Sequence, residues 1–201
     1  MRKFLPFIII GAILLIGYSY FKGINNTAVT LDQNVKESWG NVETSYQRRN
    51  DLIGNLVKTV QGAAEYEKGT LTAVIEARAK ATSVTIDPSN VTPEQLAQFQ
   101  QAQGGMTSAL SRLLVTVEQY PSLKANENFL KLQDELASTE NQILTARTRF
   151  NESIEKYNNY VLKMPRKIFL SDYKEKAPFK AVEGAEKAPN VEFDFDKKET
   201  K

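Results

Sequence analysis

From Phe129 to Met164 the chain keeps one spacing, and that spacing leaves few folds open. Phe129, Leu132, Leu136, Glu140, Ile143, Arg147, Phe150, Ile154, Tyr157, Val161 and Met164 follow one another at steps of three and four. Such steps put every member on one stripe of a single helix. All but two are large and apolar, so the stripe needs partner helices to bury it. The two exceptions, Glu140 and Arg147, stand where Leu would be expected. A buried lone charge costs several kcal/mol, so each must find a partner or reach water.

The other periodic stretches supply the partners. From about residue 24 to 84, Leu31, Val35, Trp39, Val42, Tyr46, Ile53, Leu56 and Val60 recur at helical spacing, and Ala63, Ala64, Leu71, Val74 and Ile75 keep the period. This predicts one very long helix or two collinear ones, with a bend at Gly40, Gly54, Gly62 or Gly69, since each glycine costs about 1 kcal/mol against Ala. Residues 82–92, with Asp87-Pro88 and Ser89-Asn90, read as a loop. A helix then starts at Thr92 as N-cap, with Pro93 first and Gln95 completing a capping box. Its seam is Leu96, Phe99, Met106, Leu110, Leu113 and Val117, and Tyr120-Pro121 ends it. The last long helix runs from about Asn126 to Leu162. Beyond Pro165, Arg166-Lys167-Ile168-Phe169-Leu170 adds a short amphipathic turn.

Arg2 and Lys3 precede an uncharged apolar run, residues 4–21, closed by Lys22. Eighteen residues lie at the lower edge of what spans about 30 Å of hydrocarbon. Tyr18, Tyr20 and Phe21 suit an interfacial aromatic belt. The small-x-small sequence Gly17-Tyr18-Ser19 allows a cleaved signal peptide, although no polar segment separates it from the apolar run. The basic N-terminus places the body outside the cytoplasm by the positive-inside rule, on a small charge difference. The fold class expected is therefore all-α: an antiparallel bundle of about four helices, the first very long, on an N-terminal transmembrane helix. Residues 1–22 form the anchor, 24–170 the bundle and 171–201 a mostly irregular tail. Within that tail Phe179, Val191 and Phe193 are candidates to dock on the bundle, and residues 196–201 are expected to be disordered.

Composition narrows function by exclusion. There is no Cys and no His, which removes thiol chemistry, the commonest general base and the commonest metal ligand. With 26 basic and 24 acidic residues spread evenly, no basic stripe points to nucleic acid. Gly104-Gly105 lacks the strand and the Lys-Ser/Thr of a phosphate loop. The polar residues on the stripes read as a cross-helix ladder: Glu140 with Arg48 or Arg49, Arg147 with Asp51 or another carboxylate. Asn55, Asn151 and Asn158 serve as register markers beside them. A catalytic reading would need a nucleophile or a second carboxylate, and a cavity lined by Asn and Arg would suit a small ligand. Trp39 and Tyr46 are either core residues or an exposed protein-contact patch.

Two runs carry a family resemblance. Tyr46-Gln47-Arg48-Arg49-Asn50-Asp51-Leu52-Ile53-Gly54-Asn55-Leu56-Val57 resembles the signature of the LemA family. So does Glu118-Gln119-Tyr120-Pro121-Ser122-Leu123-Lys124-Ala125-Asn126, followed by Phe129, Leu132-Gln133, Leu136, Thr139-Glu140-Asn141, Ala146-Arg147, Phe150-Asn151 and Tyr157-Asn158. Gly54 departs from the pattern, since many members carry Pro there. The resemblance implies a helical bundle on a membrane segment in the bacterial envelope, without cofactors and without an established activity. It also suggests membrane metalloproteases and other envelope proteins as partners. Three functions follow in order: a membrane-anchored scaffold, with lipid held by residues 4–21 and homo-oligomers compatible with the fold; an extracytoplasmic ligand sensor working through a partner subunit; and, least supported, an enzyme.

Overall fold

The computed structural model describes residues 5–62 and 68–180. The described residues hold six helices and no strand: α1 Leu5–Gln61, α2 Lys68–Ser83, α3 Pro93–Val117, α4 Pro121–Lys124, α5 Glu127–Val161 and α6 Arg166–Phe169. The readings made for Arg2, Lys3, Ala63, Ala64, Val191, Phe193 and residues 196–201 lie outside the described residues.

At 57 residues and 1.5 Å per residue, α1 is about 85 Å long. It includes the N-terminal apolar run and passes without interruption into the packed body. Phe7, Ile10, Leu14 and Ile16 are exposed, and burial begins at Ile24. No Pro lies between residues 7 and 61, and helical hydrogen bonding continues through Gly23, Gly40 and Gly54. The expected break falls at Gly62.

The reading of residues 24–84 as one very long helix or two collinear ones is overturned. Arg78 Nε donates to the carbonyl of Asn50 at 2.9 Å, whereas 28 residues along one helix would separate them by about 42 Å. So α2 turns back along α1. Gly54 permits this close approach, because a Cβ there would meet the Arg78 guanidinium carbon at 3.2 Å. Directions alternate through the rest of the body. Tyr46 touches Phe99 and Arg49 reaches Thr107, so α3 runs with α1. Tyr160 bonds the Ile24 carbonyl while Arg49 meets Glu140, so α5 runs against it.

Local chemistry sets the helix ends much as expected. The Thr92–Gln95 capping box is complete, with Pro93 in the first turn. Asn126 caps α5 by accepting from the Phe129 amide at 3.1 Å. On α5 the apolar stripe is buried from Phe129 to Val161, with Leu132 only partly so. Met164 is a correction: α5 ends at Val161, which leaves Met164 exposed.

The core divides in two. One apolar cluster surrounds Trp39, with Val35, Val42, Phe99, Phe150, Ile154 and the loop residues Ile86 and Val91. The other gathers Ile53, Leu56, Val74, Met106, Leu113 and Phe129. Between them lie Arg49, Asn50, Gln103 and Thr139, all buried and all polar.

Candidate functional site

The polar layer is organised by Arg49, which is 3% exposed. Its Nη1 donates to Glu140 Oε1 at 2.9 Å and approaches Thr107 Oγ1 at 3.5 Å. Its Nη2 donates to Gln103 Oε1. The guanidinium carbon lies 4.9 Å from the centre of the Tyr46 ring. Gln103 in turn donates to the Ala81 carbonyl on α2 at 3.2 Å. One side chain on α1 thus bonds α3 and α5 directly and reaches α2 through a single amide. The planar, multiply donating guanidinium suits this branching role, which a Lys point charge would not fill.

Of the ladder residues, Arg49 and Glu140 come together and the others part. Arg147 does not meet Asp51: its Nη2 donates to the Lys180 carbonyl at 3.4 Å and its guanidinium lies 4.5 Å from the Phe179 ring centre. Asp51 instead accepts from Gln47 at 3.0 Å and faces Arg78 at 3.9 Å on the exposed surface. Arg48 and Asn55 are exposed, because they fall on the outer side of α1. The buried amide of that run is Asn50. Of the two readings for Trp39 and Tyr46, the structure takes the core and not the exposed contact patch. Trp39 is 1% exposed and packs edge-on against Phe99 and Phe150 and flat against Phe179.

Phe179 belongs to an irregular strap, residues 171–180, laid across α5. Asn158 exchanges two hydrogen bonds with the backbone of Lys176, and Asn151 does the same with Phe179. The two Asn are seven residues apart, about 10.5 Å along the helix. Three extended residues span about 10–11 Å, so Lys176 and Phe179 fall opposite them. The Asn residues therefore set the register of the strap, not of helix against helix. Lys176, 2% exposed, sends Nζ to Asp32 Oδ1 at 2.6 Å and to the Pro88 carbonyl at 2.7 Å, over the Tyr157 ring. Partial burial raises the Asp32 carboxyl, but hydrogen bonds from Lys176 and Lys36 outweigh it and hold it below its ordinary value.

Gln103, Asp32 and Lys176 were not singled out by sequence. Gln103 had a signal: it fills the skipped seam position between Phe99 and Met106. Asp32 and Lys176 had none, since Asp32 is off the apolar stripe and Lys176 sits in a segment without periodicity.

Beside the polar layer, a cleft of about 570 Å³ opens between α1, α3 and α5, lined by Tyr46, Arg49, Thr107, Ser108, Glu140 and Arg147. Its chemistry is quiet. Burial raises the Tyr46 phenol, and the Arg147 and Arg49 guanidiniums pull it only part of the way back. Tyr157 is pushed up to about 12 by burial and by the Asp32 carboxylate. Neither phenol is activated as a nucleophile near neutral pH. Among the described residues no three acidic side chains gather to hold a metal.

The LemA family profile matches residues 38–193, most of the chain. This protein belongs to the LemA family. Among its relatives, magnetosome protein MamQ 1 of Paramagnetospirillum magneticum is 28% identical over 157 residues, covering 70% of this chain and 58% of the relative. MamQ of Magnetospirillum gryphiswaldense matches at the same identity and coverage. Protein LemA of Metamycoplasma hominis is 24% identical over 157 residues, covering 77% of this chain and 68% of the relative. The chain thus spans under two thirds of the length of the magnetosome relatives. The family profile match starts within α1 and includes the polar layer and the strap. The start of α1 is long and apolar enough to cross a membrane, and none of these relatives' names is that of an enzyme.

Two predictions follow from this geometry. Glu140→Ala leaves Arg49 buried without its counterion. Removing one partner of a buried pair costs about 3–5 kcal/mol, and Glu140 is 47% exposed, so the lower end applies. The melting temperature in detergent should fall by roughly 5–10 °C; an unchanged value would show that Arg49 is not confined by the core. The second concerns acid. Because the folded-state pKa of Asp32 is depressed, its contribution is complete above the ordinary value of 3.8 and is lost as pH falls through the lower folded value. Trp39, the only tryptophan, reports on the strap through Phe179. Its emission should change in a step below pH 3.8, and Asp32→Asn should show the released spectrum at neutral pH with no acid step. Identical titrations for the two proteins would exclude the Asp32–Lys176 latch.

Proposed function

We propose that this chain is a single-pass, membrane-anchored module of the bacterial cell envelope that works by holding other envelope proteins, without catalysis of its own. The observation that carries this reading is the unbroken α1. The exposed apolar segment and the first wall of the packed body are one helix, so the body is joined to the membrane segment rigidly, with no flexible linker between them. A flexible tether would suit a freely diffusing enzyme domain, whereas a rigid post suits a partner-organising one. The absence of Cys and His and the raised phenols fit the same reading. Relatives named as magnetosome proteins fit work within an assembly at a membrane. The body lies outside the cytoplasm, following the charge balance of the N-terminus, and a membrane metalloprotease is one class of partner.

A second reading rests on the cleft beside Arg49. Two guanidiniums against one carboxylate, with Thr107 and Ser108 hydroxyls on the wall, suit a small anionic ligand, which would be sensed through a partner subunit. Photo-crosslinking of the full-length chain in native membranes separates the two. A scaffold should trap defined envelope proteins from exposed positions on α2 and α3, with or without added metabolites. Trapping that appears only on addition of a small molecule supports the sensor, and no specific adduct at any exposed position contradicts both.

A further inference from the structure

The short helix α6 and the residues before it form an exposed face that the packed body leaves uncovered. Met164 is 68%, Ile168 63% and Phe169 47% exposed, three large apolar side chains within six residues. Lys163, Arg166 and Lys167 are interleaved with them, and none has a carboxylate within ion-pair distance among the described residues. In water this combination is unfavourable, since clustered exposed apolar groups mark a contact surface.

The position of α6 identifies what covers it. The Phe169 ring packs edge-on against Phe21 at 6.1 Å, and Phe21 is the last residue of the apolar run in α1. Tyr160 bonds the carbonyl of Ile24, the first buried residue of the body, and the Arg166 guanidinium lies 4.1 Å from the Tyr160 ring centre. Tyr173 bonds Asn25 at 3.3 Å. These contacts pin α6 beside residues 21–25 of α1, at the level where the apolar segment gives way to the body. If residues 4–21 cross a bilayer, that level is the headgroup region. Aromatic and basic side chains are favoured there, with rings at the headgroup level and cations among phosphates.

We propose that residues 163–169 form a second membrane contact, an interfacial foot that inserts Met164, Ile168 and Phe169 beside α1 and binds anionic lipid headgroups through Lys163, Arg166, Lys167 and Lys22. This rests on the reading of residues 4–21 as a bilayer span and goes beyond it, because the foot brings the base of the body itself into contact with the lipid surface. A helix alone may tilt and rotate about its axis; a second contact point at its base removes much of that freedom. Attachment through a span plus a basic, apolar patch also makes the seating of the body sensitive to the charge of the leaflet, since each surface cation near an anionic leaflet shifts occupancy about fivefold.

The chain has no native Cys, so single cysteines report cleanly. The full-length protein carrying Ile168→Cys, Leu14→Cys or Val115→Cys is labelled with a polarity-sensitive fluorophore and reconstituted in vesicles bearing lipid-attached quenchers. One vesicle is phosphatidylcholine alone and the other contains phosphatidylglycerol. The foot predicts several-fold stronger quenching at residue 168 than at residue 115, which is exposed at the far end of α3. It also predicts a gain at residue 168 with phosphatidylglycerol that Lys163→Glu/Lys167→Glu abolishes. Quenching at residue 14 but not at 168 overturns the foot and leaves the anchor standing; quenching at neither overturns both. Equal quenching at residue 168 in the two vesicles overturns the anionic preference. A label at residue 168 that is shielded from water yet unquenched by lipid assigns the face to a second copy of the chain and overturns the proposal.

Discussion

A guanidinium held in the interior constrains this molecule more than any apolar contact does. Arg49 divides the core into an apolar cluster around Trp39 and another around Phe129, and it requires acceptors on the surrounding helices at fixed heights. Apolar side chains tolerate sliding, since one methyl group packs much like another. Arg49 does not, because a shift of one turn would strand its terminal nitrogens and leave the Gln103 amide oxygen without its donor. Glu140 and Gln103 give the two terminal nitrogens of Arg49 acceptors on α5 and α3, and Gln103 passes the constraint to α2 at Ala81. Such a layer adds little stability compared with a well-packed apolar replacement; its contribution is to fix which arrangement of helices forms.

The strap repeats the same logic over the Trp39 cluster. Two Asn side chains fix its register by pairing with backbone, Phe179 closes the aromatic cluster over Trp39, and Lys176 locks onto Asp32. Irregular segments carry backbone donors and acceptors that a helix would satisfy internally. Here side chains from the helices supply those partners, which is why a stretch without regular structure still lies against the core.

The helices were legible in the sequence because their physics is local. The stripe from Phe129 to Val161, the Thr92–Gln95 box, the Asn126 cap and the end of α3 ahead of Pro121 each depend on residues a few positions apart. What failed was long-range. Periodicity around Gly62 could not distinguish a helix that continues from one that folds back, because both bury the same face. Arg147 was matched to a carboxylate on charge alone, whereas carbonyl oxygen and an aromatic face in the strap satisfy it. The Asn151 and Asn158 positions carried a readable polar signal, but their partners are backbone groups, which leave no mark in side-chain pattern. Lys176 is the extreme case, indistinguishable by sequence from the solvated lysines around it.

The function proposed follows from where rigidity is placed. A polar layer fixes the helices, a strap closes the cluster around Trp39 and one continuous helix joins that body to the apolar segment, while burial raises the phenols of Tyr46 and Tyr157. All of this depends on Arg49 acting on several helices at once. The most direct measurement is a double-mutant cycle on stability between Arg49→Ala and Gln103→Ala, the contact that links the α1–α5 pair to α2 and α3. A branched buried hydrogen bond predicts a coupling energy of about 1–3 kcal/mol. Effects that add to within about 0.5 kcal/mol would show the two residues to be independent, and the polar layer would not be what sets the arrangement of the helices.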